Sequence, residues 1–422
     1  MTDTTGHPSG SPEEQGRGAS PTGAGRRRRR WLRWTATGAT VVVLGAVAVG
    51  WAAYEKLNGN ITADDDAAAE LARYERERPT ALVRDAQNIL LIGSDSRSGA
   101  GNKEYGRDSG TERSDTTILL HLAANRRSAT AVSLPRDLMV DVPGCRRPDG
   151  TRTDPMFAMF NYAFEVGGSA CTIRTVEKLT DIRVDHHMVV DFHGFKDMVD
   201  AVDGVEVCLR EPIDDKAAKL RLPAGKVVLD GEQALGYVRA RKSIGNGSDT
   251  DRMDRQQKFL GALIGKVRSD DVLLNPAKLY PVLDAATSSL TTDPGLASLR
   301  GLYDLVRGVR DIPTDGIQFL TVPRRSYVLN ANRDQLVEPA AERLFERLRA
   351  DEPVVVAKEP PAGPAHGRSP HSASPYGNSF RNYEEESDGD GMSTAIGAAL
   401  LSGTPDPAPT FRGNTAAQGA CE

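Results

Sequence analysis

Asn88-Ile-Leu-Leu-Ile-Gly-Ser-Asp-Ser-Arg97, Arg113-Ser-Asp-Thr-Thr-Ile-Leu-Leu-His121 and Ala129-Thr-Ala-Val-Ser-Leu-Pro-Arg-Asp137 are three apolar, β-branched runs, each opening or closing on charged side chains. Short runs of this kind, bounded by Gly, Pro and polar clusters, are the pattern of buried strands. The charges therefore fall at strand ends, the edge where α/β sheets bind ligands because loops there hold polar groups over an apolar scaffold. Asp95, Arg113, Asp115 and Arg136 are the first candidates for a site.

Downstream, helical spacing over 156–166 and 172–180 is interrupted by Gly167-Gly168, and strand-like runs at 187–191 and 205–209 flank a helix at 195–202. This alternation indicates an α/β sandwich. Asp230-Gly-Glu-Gln233 is a capping box, so a helix starts there and delivers Arg239 and Arg241 to its C-terminal end. In the next helix, 252–267, Arg252, Arg255 and Gln256 fall at i, i+3 and i+4 and share one face near its start. Further helices are predicted at 276–287, 295–310 and 337–349, with a strand at 317–322.

The ends of the 422-residue chain differ from its middle. Residues 1–33 are polar and basic and are expected to be a disordered tail. The uncharged apolar run inside 34–54 is close to the ~20 residues that span a bilayer core. Arginines precede it and Asp64, Asp65 and Asp66 follow it, so the N-terminus is expected in the cytoplasm and the rest outside the cell membrane. A cleaved signal peptide is the competing reading, but no small-x-small site follows the run. Residues 55–84 suggest a solvated juxtamembrane stalk, 85–350 one globular domain, and 351–422 a disordered tail.

A net charge of −5 and export both argue against a nucleic-acid partner. Four cysteines fit an oxidising compartment. Cys145 and Cys171 are expected to pair, and Cys208 reads as a small buried hydrophobe.

Arg113, Arg136, Arg239, Arg241, Arg252 and Arg255 are too many cations for one carboxylate pair. Guanidinium forks bind phosphate bidentately, so the natural guest is a polyanion such as a diphosphate. Mg²⁺ is held by one or two carboxylates together with phosphate oxygens, a role open to Asp95 and Asp115. The plainer reading of any one of these residues is a hydrated surface charge. Asp137 reads equally as a general base or as a loop cap. His186 and His187, on a strand, are expected to bond locally.

The quoted residues closely resemble the LytR-CpsA-Psr family. Its pattern is matched in order by Gly93 to Arg97, Arg113 to Thr116, Ser133 to Asp137, Gly231-x-Gln-Ala-Leu235, Tyr237-Val-Arg-x-Arg241 and Arg252-x-x-Arg-Gln-Gln257. One departure is Met159-Phe160-Asn161, where many members carry Lys-Ile-Asn. The resemblance implies a mixed sheet between helices, and transfer of a phosphoglycopolymer from a polyprenyl diphosphate carrier to a muramic acid hydroxyl of peptidoglycan. It implies Asp95 and Asp115 as Mg²⁺ ligands, with Arg113, Arg136, Arg239, Arg241, Arg252, Arg255 and Gln256 on the diphosphate. A hydrolase using the same site, and an envelope protein that binds the lipid without turning it over, are the rival readings.

Overall fold

The computed structural model describes residues 24–94, 114–216, 218–240, 249–269, 275–357 and 410–419. The chain divides into two compact units, Met1–Lys56 and Leu57–Glu422. In the first, helix α1 (Ala24–Asn60, which runs on into the second unit) carries exposed valines such as Val42 and Val49. Its 28-residue stretch Arg33–Asn60 is long and apolar enough to cross a membrane.

The second unit is built on a nine-stranded mixed sheet. At its centre lie β2 (Gln87–Ser94), β3 (Ser114–Leu122) and β4 (Ala129–Leu134). These are antiparallel neighbours, with Leu90 opposite Leu119 and Leu119 opposite Val132. Side chains alternate between the faces of a strand, so the continuous apolar runs bury both faces. Leu90, Ile92, Leu119 and Val132 join a core with helix α3 (Asn161–Thr180) and the helix Ala340–Arg349. Ile89, Ile118, Ala131 and Phe319 face the other way, toward Leu260 and Ile264 of the helix Asp249–Val267. The expected mixed sheet between helices is therefore present.

Several expectations need correction. Met156–Met159 is a strand paired with Met139–Val142, and the helix begins only at Asn161. Gly167 and Gly168 kink it: a Cβ on Gly167 would lie 2.8 Å from that of Cys171, and Gly168 has φ +57° with ψ −147°. Such a conformation is essentially confined to glycine. Residues 55–84 are not a solvated stalk. Ala67 and Leu71 of helix α2 (Asp65–Arg73) are buried in the core, and Arg78 donates to Glu177 in a buried ion pair. Thr62–Ala63 pairs in parallel with Leu290–Thr292 at the sheet's edge.

The end of the chain also departs from the tail expected over 351–422. Val355–Ala357 and Thr410–Thr415 are strands, and the latter pairs antiparallel with Ile317–Thr321, which itself lies parallel to β4. A Cβ on Gly413 would collide with the Phe319 carbonyl oxygen, so the close pairing requires glycine there.

Cys145 and Cys171 form a disulfide with Cα atoms 5.6 Å apart, as expected. Cys208, expected to be a small buried hydrophobe, instead lies on the exposed face of its strand and is disulfide-bonded. Alternation explains the miss, because Val205, Val207 and Leu209 take the buried face.

His186 and His187 bond locally, as expected, with Nδ1 of His186 at 3.1 Å from Asp293 and Nε2 of His187 at 3.0 Å from Asp64. The hydrogen bond with Asp293 holds the His186 imidazolium above the ordinary 6.5, against the opposing effect of burial. Burial pushes the Asp293 carboxyl up, but His186 brings it below the ordinary 3.8. The histidine's contribution to stability is full below its unfolded pKa and fades as pH rises through the raised value. The aspartate's is full above its unfolded pKa and fades as pH falls through the depressed one. The pair thus steadies this edge of the sheet from weakly acidic to neutral pH. An NMR titration should place the His186 midpoint above 6.5, and Asp293→Asn should lower it, leaving only the charge of Asp185 to oppose burial. A midpoint indifferent to that substitution would sink the coupling.

Candidate active site at the ends of the central strands

Alternation along β3 puts Asp115 in the row of Thr117 and Leu119, and Arg136 stands in the turn two residues past the β4 row of Val132 and Leu134. Both rows face the α3 layer. The two side chains meet there, Nη1 of Arg136 donating to Oδ1 of Asp115 at 2.5 Å. They are 21% and 28% exposed, which holds them in place while leaving them open to a ligand. The turn behind Arg136 is docked on the start of α3: the Asn161 N–H donates to the Arg136 carbonyl at 3.0 Å, and that of Phe160 to Leu138 at 2.8 Å.

A hairpin that sequence reading did not find completes this group. Its strands are Arg324–Tyr327 and Asn330–Leu336. Arg333 Nη1 donates to one oxygen of Asp137 and Arg136 Nε to the other, each at 3.4 Å. The Asp334 N–H donates to the Asp137 carbonyl at 3.0 Å, while its carboxylate accepts from Arg324 at 2.5 Å. Asp115, Arg136, Asp137 and Arg333 thus form an alternating chain of charges. Asp137 orients two guanidiniums within it.

A second group gathers where helix α5 (Gly231–Arg239) hands over to the helix Asp249–Val267. The capping box at Asp230 is present, and Arg239 occupies the last turn of α5 with its guanidinium 4.3 Å from the Phe192 ring centroid. That is cation–π range. Arg252 and Arg255 are buried. Arg255 donates to the Ala240 carbonyl, and Gln256 to that of Val238 at 3.1 Å. Carbonyls at a helix C-terminus lack donors from their own helix, so these two side chains hold the end of α5 that carries Arg239. Burial pulls the Arg255 pKa down, against the charges of Tyr237 and Asp251.

Gln257 ties the second group to the first. Only 1% exposed, it donates to Ser133 Oγ at 3.0 Å and Thr321 Oγ1 at 3.2 Å, and accepts from Asn414 at 3.2 Å. Ser133 belongs to β4, which leads into the turn that bears Arg136. The helix that bears Arg252 and Arg255 is thereby keyed to that strand.

Asp95, Arg113 and Arg241 lie outside the described residues. Of the two expected metal ligands, Asp115 is described: a partly exposed carboxylate, the hard oxygen donor that Mg²⁺ takes. Among the described residues no group of three or more His, Cys, Asp and Glu converges as a metal site.

Residues 57–350 match the LytR_cpsA_psr family model. Over 337 residues the chain is 34% identical to a probable cell wall biosynthesis protein, LcpB, of Corynebacterium glutamicum, covering 78% of this chain and 75% of that protein. It is 29% identical over 327 residues to the polyisoprenyl-teichoic acid–peptidoglycan teichoic acid transferase TagT of Bacillus subtilis, covering 74% of this chain and 93% of TagT. Among solved structures, TagV of Bacillus subtilis superposes with a TM-score of 0.50 at 25% identity, over 64% of this chain and 98% of TagV.

Proposed function

The chain belongs to the LytR_cpsA_psr family, and from that premise we propose that it transfers a phosphoglycopolymer from a polyprenyl diphosphate carrier to a hydroxyl of peptidoglycan. The observation that carries this reading is the Asp115–Arg136 contact: a carboxylate and a guanidinium assembled at the ends of adjacent strands, where a diphosphate can meet both. The similarity to a teichoic acid transferase over most of its length supports the reaction class.

In this reading the acceptor hydroxyl attacks the sugar-proximal phosphorus. The bond from that phosphorus to the bridging oxygen breaks and polyprenyl phosphate departs. Asp137 receives the hydroxyl proton. Arg136 and Arg239, with Arg113, Arg241 and Arg252, neutralise the diphosphate, while Arg255 and Gln256 keep the end of α5 in place. Asp95 and Asp115 would hold Mg²⁺, which supplies charge neutralisation on the phosphate oxygens. The apolar helix 33–60 keeps the enzyme at the membrane that holds its lipid donor, with the N-terminus in the cytoplasm and the domain outside.

The test uses the full-length protein in detergent with a synthetic lipid-diphosphate glycan, Mg²⁺ and a peptidoglycan oligomer, followed by mass spectrometry. A phosphodiester-linked glycan is the expected product. Free glycan phosphate alone would make the protein a hydrolase. Lipid binding without any product would make it a carrier protein.

A further inference from the structure

A cleft of about 1100 Å³ opens beside the candidate active site and is used by none of the roles above. Its lining includes Ser94, which pairs across the sheet with Ser114, the residue before Asp115. Asp66, Glu70 and Arg73 of α2 line it, and so do Arg146 and Arg147. The lining therefore offers both signs of charge. An aliphatic chain would desolvate those charges without pairing them, so the cleft suits a polar, zwitterionic guest.

Two features show a prepared surface. The first is Glu70, whose side chain is 11% exposed and whose two carboxylate oxygens are buried. It lies 3.3 Å from Arg73, yet neither oxygen receives a hydrogen bond among the described residues. A buried acceptor left unsatisfied is costly, and a ligand hydroxyl or ammonium that donates to it recovers that cost. The second is the loop that carries Arg146 and Arg147. The Cys145–Cys171 disulfide fixes it to α3, Arg174 donates to its Gly144 carbonyl at 2.7 Å, and Asp149 caps its turn through Thr151 at 2.6 Å. Gly167 lets the loop lie directly on the helix, since a Cβ there would sit 2.9 Å from the Arg146 carbonyl oxygen. Two exposed arginines are thus held on a rigid mount.

We propose that this cleft is the acceptor site and takes a glycopeptide: its sugar hydroxyls or ammonium groups donate to Glu70, and its peptide carboxylates pair with Arg146 and Arg147. The assignment of an acceptor rests on the transfer reaction proposed above. A glycopeptide fits because it alone among the reactants of that reaction carries carboxylates and amino groups together. The part of the cleft lined by Ser94 would point its reacting hydroxyl toward the strand end that bears Asp115.

The experiment titrates a soluble, lipid-free disaccharide-peptide into the full-length protein in detergent, by calorimetry and by NMR of the labelled ligand. Glu70→Gln and Arg147→Ala should each weaken binding about tenfold, the order expected for one charge-assisted hydrogen bond. In turnover, both should raise the acceptor KM and leave binding of the lipid-diphosphate donor unchanged. Absence of glycopeptide binding to the wild type, variants that both bind it as tightly as the wild type does, or a loss of donor affinity instead would each overturn the assignment. The last outcome would give the cleft to the donor glycan. Binding that responds to the variants in a protein with no transfer activity would uphold the cleft and defeat the proposed reaction, so the two fail separately.

Discussion

Asp115→Asn should lower glycopolymer transfer on the order of 10²–10³-fold, the loss typical when one preorganised group that stabilises developing charge is removed. The substitution keeps the shape of the side chain and its oxygen acceptor for Arg136 while removing the negative charge needed by a cation on the diphosphate. Because Asp115 and Arg136 are 28% and 21% exposed, their pairing contributes little to folding, and stability should change by less than about 1 kcal/mol. Arg136→Lys should recover only a small part of the activity of Arg136→Ala, since an ammonium restores charge without the planar fork. Time courses of linked product, with thermal melts by circular dichroism, check both. An Asp115→Asn variant that kept transfer close to the native rate would remove Asp115 from the site.

Arg78→Ala should destabilise the Leu57–Glu422 unit by about 3–5 kcal/mol, the cost of stranding a buried charge. Glu177 is only 3% exposed at its side chain, and Arg78 meets it with Nη2 at 2.8 Å and Nε at 3.0 Å. Arg78 also donates to the Val184 carbonyl at 2.6 Å, and Glu177 accepts from the Val184 N–H at 3.0 Å. The double variant Arg78→Met with Glu177→Gln removes both charges and keeps an acceptor for Val184, so most of the lost stability should return. Urea denaturation measures each step. A solvated stalk would show no change on losing Arg78, and that result would return residues 74–84 to the linker first expected of them.

These two sites differ in how plainly the sequence displayed them. Asp115 and Arg136 stand at the ends of apolar runs that have no stable place except inside a sheet, so both strands and charges could be read together. The capping box at Asp230 is equally local, and its helix begins where the four residues say it does. Arg78 was hidden because its partner is distant in sequence and its neighbours are polar; burial of an ion pair leaves no periodicity. The hairpin carrying Arg333 has strands of polar residues, Arg-Arg-Ser-Tyr and Asn-Ala-Asn-Arg-Asp-Gln-Leu, with no apolar alternation to announce them. Gln257 was within reach. It shares a helical face with Met253, Leu260 and Ile264, which lie four residues before it and three and seven after it, and this marks it as facing the sheet. Cys208 shows the same point from the other side, since three valine and leucine neighbours in alternation had already claimed the buried face.

Thr410–Thr415 lies against Ile317–Thr321, the strand beside β4, and its Asn414 bonds the same Gln257 that reaches Ser133. A chain made from its N-terminus onward therefore cannot finish its central sheet until the segment around residue 415 has emerged. Until then Ile317–Thr321 is an open edge, ready to pair with another chain. Recombinant forms cut at residue 350 keep the whole family-matched region yet inherit that edge permanently. Such fragments should aggregate where the longer chain stays dispersed, and expression of the domain should be designed around its last strand.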